Sequence, residues 1–588
     1  MLRIFKNLGK KDIGLAALVF LLVLGQVGLE LKLPDYMSEI TKMISMPGGV
    51  LNDVLFAGAK MLGCAMASLI LSIVVAFAAA RISSDFSANT RKKLFDTVQS
   101  FSMEEMHHFS TASLITRTTN DVTQVQMLIV MGLQMLLRAP IMALWAITKI
   151  RGKSGAWTAA TAIAVVVLLT IVTVIVSMTI PRFRKVQTLT DNINRVMREN
   201  LTGLKVVRAY NAEEYQKDKF TVVNDALTNN NLFTGHAMAF MLPSIMLVMN
   251  GLSLSIYWIG AVLISNAGLM DRVNLFSDMI VFTTYAMQIV MSFMMLVMIF
   301  IIFPRASVSA KRILEVLDTK PSIVDGTAAT GETAEKGKIE FRNVAFRYPD
   351  AADAMISDIS FTADKGQTVA IIGSTGCGKS TLINLIPRFY DVTEGSILVD
   401  GQDVRDYKLA DLRNKIGYVS QNAVLFSGNI GSNIAYGDNG RGPIDAHKTE
   451  EAAAIAEATE FIESKSHRYE SNVAQNGSNL SGGQRQRVSI ARAIARHPEI
   501  LIFDDSFSAL DYRTDRKVRT NLKHECSDIT KIIVAQRIGT IKDADSILVM
   551  DDGKIVGQGT HEELMKDCDV YRQIAFSQLS EKELEGGN

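Results

Sequence analysis

The stretch Gly373-Ser374-Thr375-Gly376-Cys377-Gly378-Lys379-Ser380 carries the residue types needed to hold a chain of phosphates. It follows the apolar run Val369-Ala-Ile-Ile372 and leads into a helical pattern opening Thr381-Leu-Ile-Asn, the strand, loop and helix context such a loop requires. Glycines let backbone N–H groups close on phosphate oxygens, the helix N-terminus favours negative charge, Lys379 neutralises it, and the Ser380 hydroxyl can ligate Mg²⁺. Gly373 through Thr381 are therefore candidate nucleotide-binding residues, with ATP and Mg²⁺ as the expected ligands. A second buried-strand run, Ile500-Leu-Ile-Phe503, ends in Asp504, a position suited to holding Mg²⁺ directly or through water. Between the two lies Leu480-Ser481-Gly482-Gly483-Gln484, where a Gly pair after Ser opens an apparent helix and offers a second anion-binding N-terminus.

The elements that must position these residues are unevenly spread along 588 residues, a length that implies more than one domain. Hydrophobic residues make up 48% and charged residues 21%, with long apolar runs filling the first half and charge-rich sequence the second. Net charge is only +1, so nothing suggests a nucleic acid partner. Four cysteines, Cys64, Cys377, Cys526 and Cys568, show neither metal-knuckle nor disulfide-framework spacing and read as free thiols. Six segments reach the roughly 20 apolar residues that cross a bilayer. They are 13–33, 54–80, 127–150, 156–180, 237–264 and 279–303. Arg3, Lys6, Lys10 and Lys11 precede the first, and the links after the second and fourth are rich in Lys and Arg, so both termini are expected in the cytoplasm of a plasma membrane, bacterial in kind. The outer Lys149, Arg151 and Lys153 vote the other way.

The two cytoplasmic links, about 81–126 and 181–236, are nearly free of Pro and Gly and read as helices continuing out of the membrane, each bending back at a short tip. Gly203 breaks the second. Such projections either touch a cytoplasmic domain or merely brace the bundle. Two features of the spans are equally open. The Met-rich last pair, including Met238, Met246, Met279, Met291 and Met298, lines an adaptable cavity or fills lipid-facing and interhelix space. Arg138, inside a span, faces a cavity or a partner, or else snorkels or pairs structurally. After 303 the chain turns polar. Residues 321–338 read as a linker, and from Ile339 short β-branched runs alternate with helical patterns, which predicts an α/β domain with a largely parallel core sheet. The expected organisation is a cytoplasmic segment 1–12, a membrane domain 13–320, the linker, a nucleotide-binding domain 339–580 and a tail 581–588.

Phosphate loop, Leu-Ser-Gly-Gly-Gln and acidic strand end, in that order, resemble the ATP-binding cassette family, and specifically its exporters with one membrane half and one cassette per chain. The resemblance covers nearly the whole chain. It implies a partner chain, since cassettes in that family pair head to tail and each ATP lies between one phosphate loop and the other chain's signature, here Leu480 to Gln484. By the same resemblance Tyr348 stacks on adenine, and Gln421, in Tyr418-Val-Ser-Gln, senses Mg²⁺ and phosphate. Ser508, Ala509, Leu510 and Asp511 form the loop that crosses the dimer interface, and the cytoplasmic projections act as coupling helices.

Two positions depart from the family pattern. Glu normally follows the metal-binding Asp as the base that polarises water, yet here the residue is Asp505. Retracting a carboxylate by about 1 Å can cost a large part of the 10²–10⁴-fold that general base catalysis supplies. His normally precedes Arg in the late strand, where this chain reads Val534-Ala-Gln536-Arg537; Gln536 can hydrogen-bond phosphate but carries no positive charge. Asp505, Gln536 and Gln421 are thus the candidate catalytic residues of a site expected to bind ATP and turn it over slowly. The expectation is one subunit of an ATP-driven heterodimeric exporter of hydrophobic or amphipathic compounds, drugs or lipids, working by alternating access. Alternatives are a homodimeric lipid flippase, a siderophore transporter, and an ATP-gated regulator or channel.

Overall fold

A computed structural model describes residues 2–45, 51–151, 153–329, 336–349, 351–437 and 440–578. The tail 581–588 and linker residues 330–335 lie outside them, as does the side chain of Met298. The chain divides into two compact units, Met1–Gln99 with Thr111–Thr319, and Ser100–Ser110 with Lys320–Asn588.

In the first unit six helical stretches are long and apolar enough to cross a membrane: Lys10–Ser45, Leu51–Gln99, Thr111–Ile150, Gly155–Thr202, Glu213–Ser265 and Asp271–Leu296. Most run well past the apolar windows that mark them. A helix of 48 residues such as Gly155–Thr202 is about 72 Å long at 1.5 Å per residue, against a hydrocarbon core of about 30 Å. An apolar window measures only the lipid-immersed part. The first span, expected over 13–33, is instead a helix Lys10–Glu30 that breaks at Leu31–Lys32 and resumes as Leu33–Ser45. The third contains two π-helical turns, Arg117–Asp121 and Gly132–Leu136. At Gly203 the fourth helix stops, a short helix Leu204–Ala209 forms, and the next begins at Glu213, so the second projection bends where its glycine sits.

Arg138 is paired rather than free: its Nη2 donates to Glu30 Oε2 at 2.8 Å, while Gln26 and Ser68 donate to Glu30 Oε1 at 3.0 and 3.2 Å. The outward-voting lysines are also matched. Lys149 lies 2.6 Å from Asp35, and Lys153 lies 2.9 Å from Asp278, so their charge is balanced locally. Tyr285 donates to Asp35 and ties the first and last spans together. Methionines of the last two spans divide between interior and surface, Met279 being buried while Met246 and Met291 are exposed.

In the second unit the strands are β1 (Ile339–Phe346), β2 (Ile356–Ala363), β3 (Thr368–Gly373), β4 (Glu394–Val399), β5 (Gln402–Asp403), β6 (Ile416–Val419), β7 (Gly428–Asn429), β8 (Asn472–Val473), β9 (Ile500–Asp504), β10 (Thr530–Val534), β11 (Ser546–Asp551) and β12 (Lys554–Gly559). The core sheet runs β12-β11-β3-β10-β9-β6 and is parallel except for β12. Every residue of β9 and β10 is buried, as expected of a sheet covered on both faces by helices. A separate antiparallel sheet, β2-β1-β4-β5, was not anticipated, because its strands alternate buried and exposed and resemble edge segments in sequence. The segment Ser100–Ser110, expected within the membrane domain, belongs instead with this unit.

Candidate nucleotide site

Strands β3, β10, β9 and β6 are neighbours, so their C-terminal ends bring Gly373, Asp504, Gln536 and Gln421 to one edge of the sheet, the edge where open α/β sheets bind ligands. The loop between β3 and the helix Lys379–Leu385 turns through Gly376 and Gly378, both with positive φ (88° and 98°). A Cβ at Gly373 would stand 2.1 Å from the Met550 carbonyl oxygen, so only glycine fits there. Lys379 arches back and donates to the Gly373 and Ser374 carbonyls at 2.9 and 2.7 Å, with Cys377 Sγ at 3.7 Å. Ser380 donates to Asp504 Oδ1 at 2.8 Å. Among the described residues the N–H groups of Gly376, Gly378, Lys379 and Ser380 have no acceptor within the chain. Helix-start donors, a lysine tip and a hydroxyl beside a carboxylate are the donor set that a Mg²⁺-bound polyphosphate requires, so the residues present fit both groups.

Asp504 and Asp505 are both buried, and burial raises the pKa of each. For Asp504 the adjacent Asp505 carboxylate adds to the rise, while the Ser380 hydroxyl and Lys379 oppose it. Asp505 takes the left-handed conformation (φ 46°) that Asp tolerates better than most residues. Its Oδ2 accepts from Gln536 Nε2 at 2.9 Å and Gln421 Nε2 at 3.4 Å, while Ser508 Oγ donates to its backbone carbonyl at 2.8 Å. Two neutral amides thus converge on the shortened carboxylate.

Tyr348 lies at the other side of the phosphate loop. Its ring meets Phe346 and Tyr390 edge-on, with centroids 4.9 and 5.5 Å away, and its hydroxyl is 3.0 Å from Thr381 Oγ1. Tyr390 was missed from sequence, where Arg388-Phe-Tyr-Asp391 gave no periodic signal. Tyr418 was missed too; its hydroxyl donates to Asn384 Oδ1 at 2.9 Å and anchors β6 to the helix after the loop.

Leu480 to Gln484 form a different patch. Ser481 caps the helix Gly482–Ala495 in a capping box with Gln484: the Ser481 N–H donates to Gln484 Oε1 at 3.1 Å, and the Gln484 N–H to Ser481 Oγ at 3.3 Å. Nothing lies within 4 Å of a Cβ placed on Gly482. A Cβ on Gly483 would lie 3.5 Å from the Ala509 carbonyl oxygen, so Leu480–Gln484 and the loop Ser508–Asp511 pack side by side. Leu510 is buried, while Ser508, Ala509 and Asp511 face outward. Among the described residues no hydrogen bond joins Leu480–Gln484 to Gly373–Thr381.

Six spans feeding a phosphate-loop α/β unit define a membrane transport protein driven by nucleotide. Residues 356–508 match the family described as ABC transporter, and 16–293 match the ABC transporter transmembrane region. An uncharacterized ABC transporter ATP-binding protein of Mycobacterium tuberculosis is 40% identical over 565 residues, covering 96% of each chain. YfiB of Bacillus subtilis, likewise described as an uncharacterized ABC transporter ATP-binding protein, is 36% identical with 96% of each covered. An ATP-dependent lipid A-core flippase of Pseudomonas syringae is 36% identical over 418 residues, 70% of this chain and 68% of its own. The fold is similar to a bacterial Atm1-family ABC exporter with ATP bound, with a TM-score of 0.79 and 25% identity, covering 97% of this chain and 100% of that one. The chain belongs to the ABC transporter family, as an exporter half-transporter with a membrane domain and an ATPase domain, and is a multi-pass membrane protein.

Proposed function

We propose that this chain is the slow-hydrolysing subunit of a heterodimeric exporter, holding ATP at its own phosphate loop and lending Leu480–Gln484 to a partner's faster site. The observation that carries this reading is the convergence of Gln421 and Gln536 on Oδ2 of Asp505. The carboxylate is one methylene short of the family's base, and one of its two amide neighbours, Gln536, stands where the family supplies a histidine. In this reading Gly373–Thr381 bind the phosphates, Tyr348 packs on the base, and Ser380, Asp504 and Gln421 hold Mg²⁺. Bound Mg²⁺ would offset phosphate charge. Asp505 takes a proton from water inefficiently because its reach is short and its Oδ2 already accepts from two amides. The cargo is hydrophobic or amphipathic, taken up from one face of the bilayer and released at the other as the cassettes close and reopen.

The test is ATPase activity of the purified chain alone and with the product of its neighbouring gene. We expect weak activity alone and robust activity together; strong hydrolysis by the chain alone, abolished by Asp505→Ala, rejects the asymmetric reading. A second reading, a homodimeric lipid flippase, is favoured by the similarity to lipid A-core flippases. It predicts full activity from the single chain and headgroup-labelled lipid translocation in vesicles. Vesicle accumulation of an amphipathic dye against its gradient separates either pump from a gate.

A further inference from the structure

The segment Ser100–Ser110 groups with the cassette, and one buried carboxylate hydrogen-bonds both this segment and the linker. Glu105, 7% exposed, accepts from the Ser102 N–H (2.7 Å) and Ser102 Oγ (2.6 Å) through Oε2, and from the Ser322 N–H (2.8 Å) through Oε1. It therefore closes the capping box of the tip helix Met103–His108 and grips the start of the linker at once. Burial alone would disfavour the carboxylate, but the hydrogen bonds from Ser102 and Ser322 outweigh it and hold its pKa below the ordinary range.

The linker then continues along the cassette rather than hanging free. Gly326 and Ala328 N–H groups donate to the Tyr407 and Asp406 carbonyls at 2.9 and 2.8 Å, and Leu409 N–H donates to Asp325 at 2.8 Å. Arg388, buried and held by Asp391, donates to the Val324 carbonyl at 3.0 Å. Two residues beyond Arg388 is Tyr390, whose ring meets Tyr348. Two hydrogen bonds and one ring contact, joined by two-residue steps of backbone from Ser322 to Val324 and from Arg388 to Tyr390, thus connect Glu105 to Tyr348.

We infer that Glu105 is a positioning residue that fastens the first cytoplasmic tip to the linker, making both move as one body with the adenine-facing side of this chain's own cassette. The link to adenine rests on the proposed role of Tyr348; the fastening does not. Ionised Glu105 carries the charged contacts to both segments, beside one neutral contact between the Ser102 and Ser322 hydroxyls at 3.0 Å, so its loss should loosen both together.

The test is hydrogen exchange of the full chain in detergent, with and without ATP and Mg²⁺, alongside a direct ATP-binding titration. Glu105→Gln should speed exchange of 100–110 and of 320–329 together by about tenfold, the effect of losing a charge-assisted hydrogen bond, while ATP affinity stays within about twofold, since no residue of the phosphate loop is touched. Ser322→Pro, which removes the donor N–H, should do the same and add little to Glu105→Gln; Ser322→Ala, which keeps it, should do little. A disulfide in Ser102→Cys/Ser322→Cys, replacing hydroxyls 3.0 Å apart, should restore protection of both segments in the Glu105→Gln background. Loosening of the tip with the linker unchanged, additive single effects, or failure of the disulfide to restore protection would overturn the fastening. Loss of ATP binding in the unmutated chain would instead overturn the nucleotide reading and leave the exchange result standing by itself.

Discussion

Asp505 holds a conformation few residues adopt, in a buried place that disfavours its charge, at the end of a strand where hydrolysis would be decided. Such strain at a site is kept when the site needs it and not the fold. A carboxyl whose folded pKa is raised binds its proton more tightly folded than unfolded, so its contribution to stability is present below the unfolded pKa and is lost as pH rises through the folded one. Asp505→Asn should therefore raise the melting temperature at neutral pH, and this gain should shrink as pH falls toward the ordinary carboxylate range; a gain that is independent of pH contradicts the assignment. Asn also tolerates the left-handed backbone. At Cys377, buried beside Lys379, a bulky thiol reagent should abolish ATP binding, and bound ATP should slow the modification. Unchanged affinity after complete alkylation of Cys377 would show the loop is not the site. The phosphate loop could be read directly from sequence because its constraint is local: glycine spacing, one lysine and one hydroxyl within a few residues. The amide pair on Asp505 could be suspected but not seen, since Gln421 and Gln536 lie on separate strands.

At the scale of elements, the number and order of spans followed from apolar length, while their true extents did not. Helices that leave the bilayer carry polar residues that a hydropathy window discards, so Leu51–Gln99 and Glu213–Ser265 exceed their expected spans on the cytoplasmic side. Pairings between distant residues were illegible for the same reason in reverse: Arg138 was visible as costly, but Glu30, 108 residues away, had no signal tying the two. The break at Leu31–Lys32 follows Glu30, and the carboxylate there gathers three donors from different helices or turns. Removing the cation should leave Glu30 short of a partner in a low-dielectric setting. Arg138→Ala is expected to cost about 1–3 kcal/mol of unfolding free energy, and the double change Glu30→Gln with Arg138→Gln should recover part of it. Thermal unfolding in one detergent checks both; an unaltered transition in Arg138→Ala means that the pair is idle. The antiparallel sheet and Tyr390 escaped notice because their contacts are assembled by the fold rather than by any short spacing.

For the whole molecule, the phosphate loop and the Leu480–Gln484 segment occupy separate patches of one cassette, and in the proposed reading a partner's cassette completes each site. A Cβ on Gly482 would meet nothing within 4 Å among the described residues, and Gly483 packs beside Ala509. If the chain lends this patch to a different subunit, Ser481→Arg should remove most of the assembled exporter's hydrolysis, about tenfold or more because a preorganised phosphate donor is replaced by bulk, while ATP binding at Gly373–Thr381 persists. Retained hydrolysis would place the competent site elsewhere. The most direct measurement is the steady-state ATPase rate of the purified chain, alone and with its neighbouring gene product, for wild type and Asp505→Glu. The chain alone should show a low rate that rises by about tenfold or more with Asp505→Glu, as recovery of part of the general-base contribution requires. The assembled pair should show a high rate that Asp505→Ala barely lowers. A high rate from the wild-type chain alone, eliminated by Asp505→Ala, would contradict the asymmetric reading.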